Sequence, residues 1–397
     1  MSWRIEQADA LTLLRQLPDG WVQTCVTSPP YWGLRDYGLP PATWGAKATC
    51  RHAWGEAQRG RRRDLLPAEQ TSSRGRLGID HRQGRAALQG GRFCRRCEAW
   101  RGCLGLEPTP ELYVEHLVQA LDEVRRVLRD DGTLWLNLGD SYTSGGRSPR
   151  ASDRPPDRGK TSRPATPTGL KPKDLVGIPW RVAFALQEQG WWLRSDIVWC
   201  KPNPMPENVR DRPTRAHEYL FLLAKQPRYF YDADAIREPD TGRCSGNGYA
   251  RHGRLSYRDR RRDRGQHAEW RGGQGRHRRS WWKLTSRGYP GAQAVFPEKL
   301  AEPCILAGSA PKACGICGAP WQPDRPARAS GERDWRPGCD HQSGTGRCLV
   351  LDPFCGSGTT GAVAQRLGRD FLGIELGRRT AQLARARLAA ADQEHKR

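Results

Sequence analysis

The feature that most constrains the fold is a glycine-rich turn near the end of the chain. Residues 349–360 read LVLDPFCGSGTT, which predicts a buried strand, a tight turn at Gly356 and Gly358, and then a helix. Glycines let the backbone approach a ligand closely, and a helix N-terminus favours a negative group. A further strand ends at Glu375, 23 residues beyond Asp352, close to the interval at which doubly wound folds place an acid on ribose hydroxyls. No lysine follows the glycines, so a cofactor with a nucleoside but no pyrophosphate fits best.

The rest of the ordered sequence alternates strands with amphipathic helices. The clearest helix is Glu111–Leu128, whose apolar residues recur near the 3.6-residue period, and Asp130-Asp131-Gly132 is expected to stop it. The predicted strands cover 21–28, 133–138, 191–200, 218–224, 348–351 and 371–375, and the other predicted helices cover 178–189, 360–367 and 378–391. We therefore expect an α/β fold, with a Rossmann-like mixed sheet covered by helices on both faces.

A second turn combines two prolines with a serine and a tyrosine. Ser28-Pro29-Pro30-Tyr31 follows the first of these predicted strands. The prolines hold the backbone extended and remove two N–H donors, so the carbonyls and the Ser28 hydroxyl remain as acceptors beside an aromatic ring. Such a group suits the exocyclic amine of a stacked base. In isolation the pattern is an ordinary turn, but the cofactor turn elsewhere in the chain favours the functional interpretation.

Together these segments resemble the β-group amino-methyltransferases of DNA, which methylate cytosine N4 or adenine N6 with S-adenosylmethionine. The resemblance rests on TSPPYWGLRDYG (27–38), DPFCGSGTT (352–360) and GIEL (373–376), with support from 132–142, 194–223 and AVFPEKL (294–300). The catalytic motif precedes the cofactor turn, which is the permuted order of the β group. The resemblance implies the Rossmann-like fold of S-adenosylmethionine-dependent methyltransferases.

The resemblance also implies the site residues. The target base is flipped out of the duplex, Ser28 and the Pro29 carbonyl hold its amine within the turn that Pro30 completes, and Tyr31 stacks on the base. Serine at the first motif position favours cytosine N4, whereas Asp or Asn favours adenine N6, and both acceptors stay open. The implied cofactor residues are Phe296, Pro297, Asp352, Pro353, Phe354, Gly356, Ser357, Gly358, Thr359 and Glu375.

Cysteine spacing predicts two structural zinc sites. Each combines a Cys-x-x-Cys pair with a Cys-x-His pair, which supplies the three thiols and one imidazole of a tetrahedral site. The predicted ligands are Cys50, His52, Cys94 and Cys97 for the first site, and Cys314, Cys317, Cys339 and His341 for the second. Cys103 and Cys348 are alternative ligands, and buried free thiols are the alternative interpretation.

The net charge of +23 indicates a polyanionic partner, and we expect double-stranded DNA. Nearly all of the excess lies in 51–92, 147–173 and 240–292, which have little apolar periodicity. Flexible Arg-rich loops on a near-neutral body suit phosphate contacts, although solvated linkers from a high-GC genome are the alternative. The resemblance places target recognition in 233–292, with Arg251, Arg254, Arg258, Arg260, Arg271 and Trp281 as candidate DNA contacts. For His217 and Glu218 we expect a structural hydrogen-bonding role in the sheet, with a catalytic or metal-binding role as the alternative.

These interpretations divide the chain into functional segments. The expected order is the first part of the core (1–49), a basic insertion with a zinc knuckle (50–103), the core (104–232), target recognition (233–292), a cofactor-pocket segment (293–313), a zinc ribbon (314–347) and the cofactor-binding part of the core (348–397). We expect no membrane partner, a cytoplasmic location in a prokaryote or for a phage protein in its host, and a restriction endonuclease as candidate partner. The alternatives from other classes are an inactive zinc-containing DNA-binding protein and an enzyme that methylates RNA or protein glutamine.

Overall fold

The computed structural model describes residues 2–46, 49–54, 92–143, 166, 169–238, 276–292, 295–324, 334–341 and 343–395. Most of the three basic segments falls outside these ranges. The five arginines predicted to contact DNA, Arg251, Arg254, Arg258, Arg260 and Arg271, also lie outside the described residues.

Twelve strands and six helices lie within the described ranges. The strands are β1 (Trp3–Glu6), β2 (Val22–Thr27), β3 (Ala42–Trp44), β4 (Trp100–Gly102), β5 (Leu128–Leu138), β6 (Trp192–Cys200), β7 (His217–Ala224), β8 (Trp281–Lys283), β9 (Gln322–Pro323), β10 (Trp335–Arg336), β11 (Leu349–Asp352) and β12 (Asp370–Ile374). The helices are α1 (Ala10–Leu14), α2 (Pro110–Val127), α3 (Ile178–Glu188), α4 (Glu298–Gly308), α5 (Thr359–Arg366) and α6 (Arg378–His395), and a 3₁₀ turn covers Asp234–Ile236.

The main sheet of the described chain has eight strands in the order β1-β12-β11-β2-β5-β7-β6-β8. Its first five strands run parallel, β7 is antiparallel to both of its neighbours, and β8 is parallel to β6. Helices α1, α2 and α3 contribute to the core on one face, and α4, α5 and α6 contribute to the core on the other. The predicted mixed α/β sheet with helices on both faces is confirmed.

Strand β5 shows why the sheet is covered on both sides. Leu134, Leu136 and Leu138 belong to the core beside α2, whereas Trp135 belongs to the core beside α4. Successive side chains of a strand point to opposite faces, so a run without polar residues requires burial on both. Asn137 interrupts this run while being only 2% exposed, which marks it for a specific hydrogen-bonding role.

The predicted stop of the long helix at Asp130-Asp131-Gly132 is wrong. Helix α2 ends at Val127 and β5 begins at the next residue, so the three residues lie inside the strand. The pairing of β5 with β2 shifts register here, as at a β-bulge. A Cβ on Gly132 would lie 2.9 Å from the carbonyl oxygen of Arg129, so glycine serves the close approach within the bulge rather than a turn.

Two antiparallel ribbons accompany the main sheet. One pairs β3 with β4, and the other pairs β9 with β10. In the described part of the chain, no helix combines the length and apolar character needed to cross a bilayer.

Candidate functional site

Asp352 connects three elements at the carboxyl ends of β2 and β11. Its carboxylate accepts hydrogen bonds from the hydroxyls of Thr27 and Thr360, at 2.6 and 2.7 Å, and from the backbone N–H of Phe354 at 3.1 Å. Burial raises the pKa of Asp352 to about 6, although these hydrogen bonds act to lower it. The carboxylate thus fixes the end of β2, the cofactor turn (residues 352–358) and the start of α5 relative to one another.

Glu375 closes the cofactor turn from the end of β12. One carboxylate oxygen accepts from the N–H of Gly356 at 3.0 Å, and the other accepts from the N–H of Gly377 at 2.7 Å. Burial raises the pKa of this carboxyl, and the two N–H groups oppose the rise. Gly356 has a φ of 52°, which favours glycine. A Cβ at this position would have no other atom within 4 Å.

A cavity of about 710 Å³ adjoins both turns. Ser28 and Pro30 line it from the first turn, and Pro353, Phe354, Gly356 and Glu375 line it from the cofactor turn and β12. The predicted catalytic residues Pro29 and Tyr31 are not part of its lining, and neither are the predicted cofactor residues Asp352, Phe296, Pro297, Ser357, Gly358 and Thr359. Pro297 precedes α4 and is buried, while Phe296 packs against the core beside α4. The cofactor roles assigned to these residues stay predictions.

The wall of the cavity includes residues that motif analysis did not single out. They come from the chain before α1, the loop between β2 and β3, strand β3 itself, the segment after β4, the segment after β8, and the start of α6. Examples are Asp9, Leu39, Trp44, Leu104 and Thr380. Nothing in their local sequence marks them, because the sheet brings them together from distant parts of the chain.

Side chains and backbone from the region before and within α2 hold the Ser-Pro-Pro-Tyr turn (residues 28–31). The hydroxyl of Tyr113 donates to the Pro30 carbonyl at 2.9 Å. The N–H of Gly33 donates to the Gly105 carbonyl at 2.8 Å, and a Cβ on Gly105 would lie 3.1 Å from the Tyr31 carbonyl oxygen. With two prolines unable to donate, these contacts from neighbouring segments set the position of the turn.

The Tyr31 hydroxyl lies in a compact polar network. It donates to Glu218 at 2.7 Å and accepts from the Asn137 amide at 2.7 Å and from the Ser28 hydroxyl at 3.1 Å. Burial and the charge of Glu218 raise the pKa of Tyr31 well above its usual value. Gly139 borders the ring, since a Cβ there would lie 2.5 Å from Tyr31 Cε2. The network therefore holds the aromatic ring in one place.

Glu218 makes side-chain contacts with residues outside its own strand β7. Its other oxygen pairs with Lys201, which directly follows β6, and the Lys201 ammonium lies 4.3 Å from the centre of the Trp199 ring. The Asn137 amide also donates to Glu218 at 2.9 Å. Sequence reasoning did not assign Asn137 or Lys201 to the site. The one local signal was the polar Asn137 within an apolar strand.

The first Cys/His cluster comprises Cys50, His52, Cys94 and Cys97, whose ligand atoms lie within 4.8 Å of one another. The Cys97 sulfur lies 3.4 Å from His52 Nδ1, and the Cys50 and Cys94 sulfurs are 3.9 Å apart. Zn–S bonds of roughly 2.3 Å in a tetrahedron give comparable separations between ligand atoms. The alternative ligand Cys103 instead donates to the carbonyl of Leu39 at 3.2 Å.

Paired tryptophans link the first cluster to the body of the fold. Trp44 and Trp100 face each other on β3 and β4, and both stack on the buried ring of His116, with centroids 5.2 and 5.4 Å away. His116 is hydrogen-bonded to Glu107 at 3.1 Å. Glu107 in turn accepts from the N–H of Gly105 at 2.8 Å, next to the Ser-Pro-Pro-Tyr turn.

The second cluster comprises Cys314, Cys317, Cys339 and His341, with the same 4.8 Å limit between ligand atoms. The N–H groups of Cys317 and Ile316 point at the Cys314 sulfur and lower the pKa of that thiol to about 6. Cys348 is buried and its sulfur lies 4.0 Å from the Lys312 carbonyl, outside the cluster. Both predicted ligand quartets are therefore brought together as the spacing indicated.

Trp281 is the one predicted DNA contact within the described residues. It lies on the edge strand β8 and is 51% exposed. Its neighbour Trp282 is buried, and the guanidinium of Arg278 lies 4.4 Å from the centre of the Trp282 ring. Trp281 therefore presents an exposed aromatic ring at the edge strand, and its DNA role stays a prediction.

This α/β architecture, with the Ser-Pro-Pro-Tyr turn and the glycine-rich turn on one cavity, is that of an S-adenosylmethionine-dependent methyltransferase fold. The sequence profile of the DNA methylase family of N6 and N4 methyltransferases matches residues 22–386. The Type II methyltransferase M.Cfr9I of Citrobacter freundii is 38% identical over 389 residues, which cover 97% of this chain and 87% of that protein. The Type II methyltransferase M.SmaI of Serratia marcescens is 38% identical over 98% of this chain and 91% of its own length.

A solved structure shows the same fold. The PvuII DNA methyltransferase, described as cytosine-N4-specific, matches with a TM-score of 0.50 and 14% identity over 100% of this chain and 92% of its own. The family profile and the relatives show that the chain belongs to the N6/N4 DNA methylase family. It is an S-adenosylmethionine-dependent DNA methyltransferase.

Proposed function

We propose that this enzyme transfers the methyl group to the exocyclic amine of a base flipped out of duplex DNA, with cytosine N4 as the favoured acceptor. The shared cavity carries the proposal. Ser28 and Pro30 form one part of its wall, and Phe354, Gly356 and Glu375 form another. An acceptor group for an amine and a site for the cofactor thus open onto the same space.

The residues present fit S-adenosylmethionine. The Glu375 carboxylate lies in the cavity wall, held by two backbone N–H groups, where it can accept hydrogen bonds from ribose hydroxyls. Pro353 and Phe354 supply apolar wall for the rest of the molecule. Bound there, the cofactor supplies an electrophilic methyl group on a sulfonium. Asp352 contributes by holding the turn, through Thr27 and the other partners of its carboxylate.

Ser28 supports cytosine N4 as the acceptor. It occupies the motif position at which the family's cytosine-N4 enzymes favour serine, and the PvuII enzyme of the same fold is described as cytosine-N4-specific. In this proposal the Ser28 hydroxyl and the Pro29 carbonyl accept the amine protons and Tyr31 packs on the base. Adenine N6 is the alternative, because it presents the same kind of amine to the same acceptors.

Labelled S-adenosylmethionine and mixed-sequence duplex DNA test the proposal. We expect label in the DNA, and digestion to nucleosides should give N4-methylcytosine. N6-methyladenine would instead assign the alternative acceptor. A Ser28→Ala variant that binds cofactor as the wild type does, but transfers more slowly, would place Ser28 at the amine. Cofactor binding without transfer to any duplex would contradict the proposal and favour an inactive DNA-binding protein.

We propose that both Cys/His clusters hold structural zinc. Three thiolates and one imidazole within 4.8 Å are the donor set of closed zinc sites. Elemental analysis of purified protein should give about two zinc ions per chain. Protein that contains no zinc after purification and after incubation with zinc would contradict this assignment.

We further propose that segment 233–292 recognises the target sequence and that a restriction endonuclease for the same site is the biological partner. The basic charge of the segment and the exposed ring of Trp281 support the first part, and the Type II names of the relatives support the second. DNA affinity should fall steeply with salt as counterions are released, while cofactor affinity stays nearly constant. Equal salt dependence of both would contradict the division.

A further inference from the structure

A chain of hydrogen bonds leads from the cavity wall to a carboxylate outside the cavity lining. The Ser28 hydroxyl donates to the Tyr31 oxygen at 3.1 Å, and the Tyr31 hydroxyl donates to Glu218 at 2.7 Å. Ser28 lines the cavity, whereas Glu218 does not. The direction of donation is fixed at its far end, because an ionised carboxylate can only accept.

Asn137 fixes the geometry of this chain. Its amide nitrogen donates both to the Tyr31 oxygen, at 2.7 Å, and to Glu218, at 2.9 Å. The opposite amide orientation would place its carbonyl oxygen against the carboxylate and is disfavoured. With Asn137 and Ser28 donating to it, the Tyr31 oxygen uses both lone pairs, so its own proton points to Glu218. The Ser28 oxygen keeps acceptor capacity for a group in the cavity.

We propose that Ser28, Tyr31 and Glu218 form a relay that removes the proton released when the amine is methylated. The inference rests on the proposed function and deepens it. The amine nitrogen bonds to the methyl carbon as the carbon–sulfur bond breaks and leaves its electron pair on sulfur. The methylated nitrogen gives a proton to Ser28, the Ser28 proton moves to Tyr31, and the Tyr31 proton moves to Glu218. Glu218 then releases it to solvent, to which 14% of its side chain is exposed.

The surroundings of Glu218 suit a proton acceptor. Among the described residues, Tyr31 and Lys201 are the titratable groups in contact with it, one from the turn and one from the segment after β6. The Lys201 ammonium stabilises the ionised carboxylate before transfer. Glu218 acts through Tyr31 and Ser28, so it is a positioning and relay residue rather than a group that touches the substrate.

Single-turnover methyl transfer tests the relay. We expect Glu218→Gln and Tyr31→Phe each to lower the rate by about 100-fold, in the range for general acid–base groups, with cofactor affinity unchanged. Because both act in one chain, the double variant should be no slower than the slower single variant. The pH profile of the wild-type rate should differ from that of Glu218→Gln, which lacks the proton acceptor of the relay. The matched control is Glu123→Gln, which removes an ion-paired carboxylate on α2 that is not part of the relay. It should keep the wild-type rate.

A readout independent of activity accompanies the kinetics. With ¹³C-labelled tyrosine, Tyr31 should ionise at lower pH in Glu218→Gln than in wild type, since the charge of Glu218 raises its pKa. A Glu218→Gln variant with wild-type rate and pH profile would overturn the relay while leaving the proposed function intact. A wild type that labels no DNA would instead contradict the proposed function. If Glu218→Gln also loses cofactor affinity, Tyr31→Phe decides: a wild-type rate there overturns the relay, and a slow rate with retained affinity supports it.

Discussion

The two Cys/His clusters have the same ligand types but lie near opposite ends of the strands of the main sheet. The first cluster adjoins β3 and β4, whose Trp44 lines the cavity beside residues that follow β2 and β11. The second cluster adjoins the start of β5, where Arg129 donates to the Cys317 carbonyl at 2.7 Å. In parallel sheets the ligand site lies at the carboxyl ends of the strands. We therefore expect the first cluster to support the reaction centre and the second to support only the framework.

The largest expected effect separates the two clusters directly. Cys94→Ser should remove one zinc per chain and lower methyl transfer at least 100-fold, because the contacts from Trp44 and Trp100 through His116 to Gly105 lose their anchor. Binding of structural zinc contributes about 10 kcal/mol or more of apparent folding free energy to small domains. The β3–β4 ribbon should therefore become less ordered in this variant. Elemental analysis, label transfer and cofactor titration measure the result.

Cys317→Ser is the matched control for the second cluster. It should remove the same amount of zinc and lower the melting temperature, while transfer at 25 °C stays within about threefold of wild type, a change below 1 kcal/mol. Equal loss of transfer in the two variants would show that the position of a cluster relative to the sheet edge does not matter.

The cluster ligands could be predicted because each ligand pair lies within a few residues of sequence. The strands and helices of the sheet could be predicted because hydrophobic periodicity is also a property of short segments. Cys314 and Cys317, for example, form one knuckle within four residues. The contact between Tyr31 and Glu218 spans 187 residues and depends on β2, β5 and β7 being neighbours, which no motif states. Likewise, the bulge at Gly132 follows from pairing with β2 rather than from its turn-like sequence.

The next largest effect is expected in the pH dependence of the free energy of unfolding, through the carboxyl of Asp352. Asp352 has a folded-state pKa of about 6, above the ordinary 3.8 of an aspartate, so its contribution to stability is present below about pH 4 and is lost as pH rises through 6. About 2 pKa units correspond to about 3 kcal/mol. Urea unfolding between pH 5 and 7.5 should show a declining free energy in wild type. Glu375, whose pKa burial also raises, acts in the same direction.

Asp352→Asn isolates that contribution. The variant should show a flatter profile over the same pH range, whatever its absolute stability, because the ionisable group is gone. Parallel profiles for wild type and variant would mean that the buried carboxylate at this edge titrates as an ordinary one.

Two glycines sharpen the comparison at a smaller scale. Gly139→Ala would place its Cβ 2.5 Å from the Tyr31 ring and force the ring to move. A displacement of about 1 Å at a reacting site costs about 100-fold in rate, so transfer should fall by that order with zinc content unchanged. Gly318→Ala, in the second cluster, meets nothing closer than 3.6 Å but has a φ of 69°. It should cost about 1 kcal/mol of stability and leave transfer unchanged. A slow Gly318→Ala variant with normal zinc content would contradict the division.

The smallest expected effect comes from Arg129, the contact that ties the second cluster to β5. Arg129→Ala removes the hydrogen bond to the Cys317 carbonyl and the pair with Asp131 at 3.0 Å, a partly exposed interaction. Such contacts contribute about 1 kcal/mol each at most, so the free energy of unfolding should fall by about 1 to 2 kcal/mol. Transfer, cofactor affinity and zinc content should not change. If transfer falls with stability, the second cluster is coupled to the reaction centre through β5, whose far end carries Asn137, and the two edges act as one unit.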